Sequence, residues 1–221
     1  MKLILGNKNY SSWSIRPWLL MTYFDIKFDE KIIKLFTPEM LTEMHGDCPA
    51  NKVPALIDGD IHVWDSLAIC EYINENYIDG KGWPSDIKQK TKARSVVCEM
   101  HSGFFGIRNE LPMNLRCPVT IVKNEQLSEQ ALNDIKRICD IWFECLTHNH
   151  NKNGFLFSEF SIADAMFFPV VSRFQTYAIT VTASQKTVIN QYMNQMLNLP
   201  AFLQWKESAL KEVEVIDADE R

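Results

Sequence analysis

Residues 52 to 66 constrain the fold of this chain more than any other stretch. Val53-Pro54 opens a strand, Asp58-Gly59 turns a hairpin, and Asp65-Ser66 starts a helix. The apolar runs Ala55 to Ile57 and Ile61 to Trp64 flank an Asp-Gly pair, which supplies the positive φ that a tight hairpin needs. After Ser66 the apolar residues Leu67, Ile69, Cys70 and Ile73 follow a helical period. Pro54 has no N–H for a ladder, so it suits the first residue of a strand and leaves Val53 as the last residue with free main-chain groups. The first N–H groups of the helix have no partner within it and attract a carboxylate. Taken alone, the same pattern also describes a hairpin feeding a capped helix, with Ser66 satisfying a backbone donor.

A second junction lies at the start of the chain. The apolar run Leu3 to Leu5 enters a polar turn and then a helix with Pro17 in its first turn, where a missing N–H costs least. Ser11, Ser12 and Ser14 crowd this junction, and capping is the ordinary role of any one of them. With a strand expected from Phe28 to Phe36, the first part of the chain reads as a βαβ unit followed by ββα.

Asp79 to Asp86 contains two glycines and a proline and reads as a connector. Beyond it, helical periods dominate at about 88 to 111, 125 to 148, 161 to 178, 184 to 197 and 200 to 213, with no convincing strand. The expected organisation is a domain at 1–79, a linker at 80–87 and a helical domain at 88–221. Ser161 and Asp164 fit a capping box with Asp in place of Glu, ahead of a run that is apolar nearly all round and therefore a buried central helix. In the first long helix, Val97, Met100, His101, Phe104, Arg108 and Leu111 follow one face, and Gly103 and Gly106 admit a close neighbour. Such a stripe is ordinarily core.

At 221 residues and 46% hydrophobic, the chain can bury a sizeable core. A net charge of −5 with both signs interspersed gives no basic stripe for nucleic acid. No apolar run approaches the roughly 18 residues of a membrane span, and the N-terminal one is too short for a secretory signal. The expectation is a cytoplasmic protein. The six cysteines include no Cys-x-x-Cys, Cys70 and Cys139 fall on apolar helical faces, and no metal spacing is present. His148-Asn149-His150 reads as a solvated loop tract.

On these motifs the chain resembles the cytosolic glutathione transferases of the serine type. The resemblance rests on Ser11-Ser12-Trp13-Ser14-Ile15-Arg16, Val53-Pro54, Asp65-Ser66 and Ser161-Ile162-Ala163-Asp164, in the same order and spacing. The nearest subclass pattern is the zeta-like Ser-Ser-Cys-Ser-x-Arg, from which the chain departs by Trp13 in place of cysteine. The resemblance implies an α/β thioredoxin-like N-terminal domain that binds glutathione and an all-α C-terminal domain that holds the acceptor. It also implies a homodimer.

The implied chemistry is attack by the glutathione thiolate on an electrophilic carbon, with glutathione as co-substrate and no metal. A thiol of pKa near 8.5 is only about 3% ionised at pH 7; lowering the pKa by two units, worth about 2.7 kcal/mol, makes it roughly three-quarters ionised. A serine contributes by donating a hydrogen bond to the sulfur anion, beside the N-terminus of a helix. Ser11 is the first choice from its spacing to Arg16, with Ser12 the alternative. Val53 would pair with the peptide as an added strand, which requires cis Pro54. Asp65 would meet the α-ammonium, Ser66 the γ-glutamyl carboxylate, and Lys52 the glycyl carboxylate. His101, Phe104 and Arg108 would line the acceptor cleft, Arg108 as a salt-bridged packing residue or as a clamp for an anionic acceptor. The alternatives are a non-catalytic scaffold of the same fold and a glutathione-dependent isomerase or thiol reductase.

Overall fold

The structure is a computed structural model and describes residues 1–148 and 153–220. A four-stranded sheet forms from β1 (Lys2–Gly6), β2 (Asp29–Ile33), β3 (Ala55–Asp58) and β4 (Ile61–Val63), in the order β2-β1-β3-β4. β1 and β2 run parallel, joined by the crossover helix α1 (Ile15–Tyr23), while β3 is antiparallel to both β1 and β4. This is the expected βαβ then ββα order. Gly59 has φ 57°, the left-handed conformation that the hairpin demands.

The pleat of β1 divides the core. Leu3 and Leu5 face α1 and the helices beyond it, whereas Ile4 joins Ile33, Met44, Cys48 and Ala55 on the opposite face. Met44 comes from the short helix α2 (Met40–Met44), which has no clear period in the sequence.

α3 (Ser66–Asn76) completes the sheet-containing part, and the chain then turns through the glycine-containing connector. There the Gly82 N–H donates to Asn74 Oδ1 at 2.8 Å and the Gly82 carbonyl accepts from Ile162 at 2.9 Å, so the middle of the connector is tied to α3 on one side and to Ile162 on the other.

The remainder of the described chain is helical: α4 (Ile87–Ser102), α5 (Phe105–Glu110), α6 (Glu129–His148), α7 (Ile162–Thr176), α8 (Ala183–Leu197) and α9 (Pro200–Leu210). The single helix expected over 88 to 111 is instead two. Gly103 is extended and Phe104 has φ 60°, so the helix stops, and Arg108 folds back to donate to the carbonyls of Met100, His101 and Gly103. Arg108 therefore satisfies helix-end carbonyls rather than forming the expected salt bridge. Gly106 does admit a close neighbour: a β-carbon there would lie 2.6 Å from the main-chain nitrogen of Ala131 in α6. α6 begins at Glu129, later than expected, because the Ser128 hydroxyl accepts from Ala131 and caps it.

α7 is buried on every side and packs on α1, α4 and α8. Its start is fixed by Asp164, whose carboxylate accepts from the Ser161 and Leu156 N–H groups, each at 2.9 Å, and from the Ser161 hydroxyl at 2.8 Å. Cys70 and Cys139 are core residues, as expected; burial pushes the Cys139 thiol up to about 12. The polar tract expected at His148-Asn149-His150 lies outside the described residues, apart from the His148 backbone that ends α6.

Candidate active site

The cradle is built by chain geometry before any side chain acts. Val53-Pro54 is cis, and the main-chain N–H and C=O of Val53 have no hydrogen-bond partner among the described residues. Two polar groups are thus left open just ahead of the N-terminal end of β3, where an extended peptide can pair with the main chain.

α3 begins next to it. Asp65 Oδ1 accepts from the N–H groups of Leu67 and Ala68 at 3.1 and 3.3 Å. Two of the donors expected to be free for a ligand are therefore already capped, and the open one is that of Ser66. The other Asp65 oxygen, Oδ2, lies 2.7 Å from His101 Nε2 on α4. Nδ1 of His101 is buried with no partner among the described residues.

Arg16 lies beneath this junction, fully buried in α1. Nη1 donates to Ser66 Oγ at 3.3 Å, while Nε and Nη2 have no partner among the described residues. Burial, then repulsion from Arg108 and Arg173, holds its pKa well below the ordinary value. The compensation is aromatic. The Trp13 ring lies 4.1 Å from the Arg16 guanidinium and 5.0 Å from that of Arg108, with its edge to His101. The tryptophan in the serine turn is thus the cover of a buried cation.

In the serine turn, Ser11 Oγ lies 2.8 Å from Ser14 Oγ and accepts weakly from the Ser14 N–H at 3.3 Å. Ser14 Oγ accepts from the Gly6 N–H at 2.9 Å, which ties the turn to the end of β1. Ser14 occupies the N-cap position of α1, but its hydroxyl serves the strand rather than the helix. The Ser12 hydroxyl has no partner among the described residues.

Ser11, Ser12, Lys52, Val53, Pro54, Asp65 and Ser66 all line one cavity of about 750 Å³. Of the residues expected in the acceptor cleft, Arg108 lines it as well. Phe104 is buried in the core, and His101 acts on the wall through Asp65. The far wall brings in residues that sequence reasoning missed. Tyr10 donates to Glu220 and accepts from Arg116 at 2.7 Å. Arg173 of α7 is fully buried, donates to the carbonyls of Leu111 and Pro169 at 2.7 and 3.2 Å, and has its pKa brought down to about 10 chiefly by burial. Asp219 comes from the C-terminal segment. A lone cation in an otherwise apolar helix was the signal for Arg173; Asp219 had none.

Among the described residues no group of His, Cys, Asp and Glu could hold a metal ion, and no helix is long and apolar enough to cross a membrane.

Residues 10–76 match the family described as Glutathione S-transferase, N-terminal domain. Over 193 residues, 87% of this chain and 86% of the relative, the sequence is 23% identical to a probable maleylacetoacetate isomerase of Caenorhabditis elegans. The N-terminal part of the chain is thus similar to the glutathione S-transferase N-terminal domain. A shorter match, 36% identical over 64 residues, joins it to a dichloromethane dehalogenase of Methylorubrum extorquens and covers 28% of this chain and 22% of that one. The glutathione transferase fold extends over nearly the whole molecule. Maleyl pyruvate isomerase, a bacterial zeta-class protein, superposes with a TM-score of 0.71 at 21% identity, covering 97% of this chain and 100% of its own. A Burkholderia glutathione transferase homolog with bound glutathione gives 0.70 at 16% identity over 94% and 97%.

Proposed function

We propose that this protein is a glutathione transferase that joins the glutathione thiolate to a small electrophile, with Ser11 donating the hydrogen bond that holds the sulfur as an anion. The observation that carries the reading is the convergence on one cavity of an unpaired Val53 main chain, an open Ser66 N–H, a half-exposed Asp65 carboxylate and the serine turn. Each group suits one part of the tripeptide. Val53 pairs with the cysteinyl main chain, Ser66 receives the γ-glutamyl carboxylate, Asp65 the α-ammonium, and Lys52 the glycyl carboxylate. Ser66 keeps its hydroxyl proton for the ligand, since Arg16 uses only its lone pair.

The Ser11 hydroxyl donates to Ser14 Oγ at 2.8 Å, and it serves the sulfur by rotating its O–H from Ser14 to the cavity when glutathione binds. The α1 N-terminus adds a favourable field. The thiolate then attacks the electrophilic carbon, the new C–S bond forms, and the leaving group departs with its electron pair. We place the protein in the cytoplasm as a homodimer, two readings that rest on the family resemblance.

The test is glutathione titration by calorimetry, together with thiolate absorbance of the complex and a panel of halogenated, epoxide and enone electrophiles. Micromolar to millimolar binding, thiolate at neutral pH and turnover of at least one class are expected. Binding without thiolate or turnover would favour the non-catalytic scaffold. A glutathione-dependent isomerase is the second reading, supported by the two guanidinium groups of Arg108 and Arg173 in the acceptor wall, which suit an acid-bearing substrate.

A further inference from the structure

After α9 the chain returns to the serine turn. The Glu212 carboxylate accepts from the main-chain N–H groups of Lys8 and Asn9 at 2.6 and 3.0 Å. Arg116 donates to the carbonyls of Glu212 and Glu214 as well as to Tyr10. Lys34 pairs with Glu214 at 2.9 Å. The strap ends in a helical turn, Asp217–Asp219, in which Asp219 donates its N–H to the Ile216 carbonyl at 2.8 Å and receives Asn114 Nδ2 on its own carbonyl at 3.4 Å. The main chain of Asp219 is thereby fixed, and the residue lines the cavity.

The Asp219 carboxylate forms no hydrogen bond or ion pair with another described residue, although it shares the wall with Arg108 and Arg173. We propose that Asp219 is a specificity-determining residue which offsets the cationic end of the acceptor cavity and so lowers the enzyme's preference for acid-bearing electrophiles. This rests on the transferase reading above. The two arginines are held by carbonyls and cannot leave, so the cavity always offers them to an anion. The strap places one negative charge against them. Burial raises the Asp219 carboxyl pKa and Arg173 opposes that rise, as expected for a half-buried carboxylate facing a guanidinium. An acceptor carrying a carboxylate gains from the arginines and loses to Asp219, whereas a neutral one is indifferent to both.

The test compares chloronitrobenzoate with its carboxamide, which undergo the same reaction: the thiolate carbon–sulfur bond forms and chloride leaves. Asp219→Asn should raise the ratio of kcat/KM for the acid over the amide by about fivefold or more, chiefly through KM, and the gain should shrink in high salt. A ratio that stays constant while both rates change together would overturn the proposal, because that is what a merely structural strap residue would produce. If the unaltered protein turns over neither compound nor any member of the electrophile panel above, the transferase reading has failed. The same ratio is then read from binding of the two compounds by tryptophan quenching, and equal ratios in the two proteins would overturn the assignment of Asp219.

Discussion

Asp65 Oδ2 and His101 Nε2, 2.7 Å apart, join the N-cap of α3 to the last turn of α4. The carboxylate that caps α3 is thereby oriented by a second element of the fold. Its charge and its capping role can be separated, because asparagine is as good an N-cap as aspartate. Asp65→Asn should keep the cap, lose the Oδ2 acceptor that faces His101 at a stability cost of about 1 kcal/mol, and weaken glutathione binding by roughly 1.5 to 3 kcal/mol, the range for hydrogen bonds to charged groups. Calorimetry showing wild-type affinity would remove Asp65 from the cradle.

Glu212 ties the strap to the serine turn through two main-chain donors. Glu212→Ala leaves both N–H groups unpaired and should lower stability by about 1.5 to 3 kcal/mol. It should also make the chain beyond Leu210 a preferred site of limited proteolysis. Chemical denaturation and mass mapping of the fragments check both; an uncut tail would mean that Arg116 and Lys34 hold it without Glu212.

Asp164 is fully buried, and that burial pushes its carboxyl up to about 6 against the pull of the Leu156 and Ser161 donors. The unfolded-state value is about 3.9. A raised carboxyl contributes stability that is fully present below about pH 4 and is lost as the pH climbs through 6, an effect of roughly 3 kcal/mol for a two-unit difference. Asp164→Asn should therefore be less stable at every pH yet lack that slope. Parallel denaturation curves for the two proteins between pH 4 and 7 would contradict the raised carboxyl.

The parts of the site that were legible in the sequence are those made by neighbours in the chain. The Gly59 turn and the helix start at Asp65-Ser66 are local, so short motifs encode them, whereas cis Pro54 was expected from the family resemblance and the cap is Asp65 where Ser66 was expected. Residue types and period also marked α7 and its Asp164 box. What could not be read arises from contacts across the fold. Helical periodicity continues past Gly103, but Phe104 takes a left-handed conformation and Arg108 closes the break, and no pattern of apolar residues announces either. Arg16 looks like an ordinary helix-start cation until burial shows it against Ser66 and Trp13. Asp219 meets the cavity only because the strap crosses a turn some two hundred residues earlier in the chain.

The serine assignment is the sharpest of these expectations. Ser11 and Ser12 both line the cavity, yet they differ in support: Ser11 is linked to Ser14 and through it to the Gly6 N–H, whereas the Ser12 hydroxyl has no partner among the described residues. The Ser14 hydroxyl and N–H hold the Ser11 oxygen in place before the sulfur arrives, and a fixed oxygen is the condition under which one hydrogen bond to an anion affects rate most. Ser11→Ala should raise the pKa of bound glutathione and reduce turnover about 10²-fold, with affinity largely retained because Val53, Asp65 and Ser66 carry the binding. A role limited to the turn would instead cost about 1 kcal/mol of stability with turnover intact. Thiolate absorbance of the complex as a function of pH separates the two. Ser14→Ala should give a milder loss in the same direction, since it removes the hydroxyl that helps to hold Ser11 but leaves the donor. If Ser12→Ala abolishes the thiolate signal and Ser11→Ala does not, the sulfur lies one residue further along the turn, and the hydroxyl without a protein partner is the one that serves it.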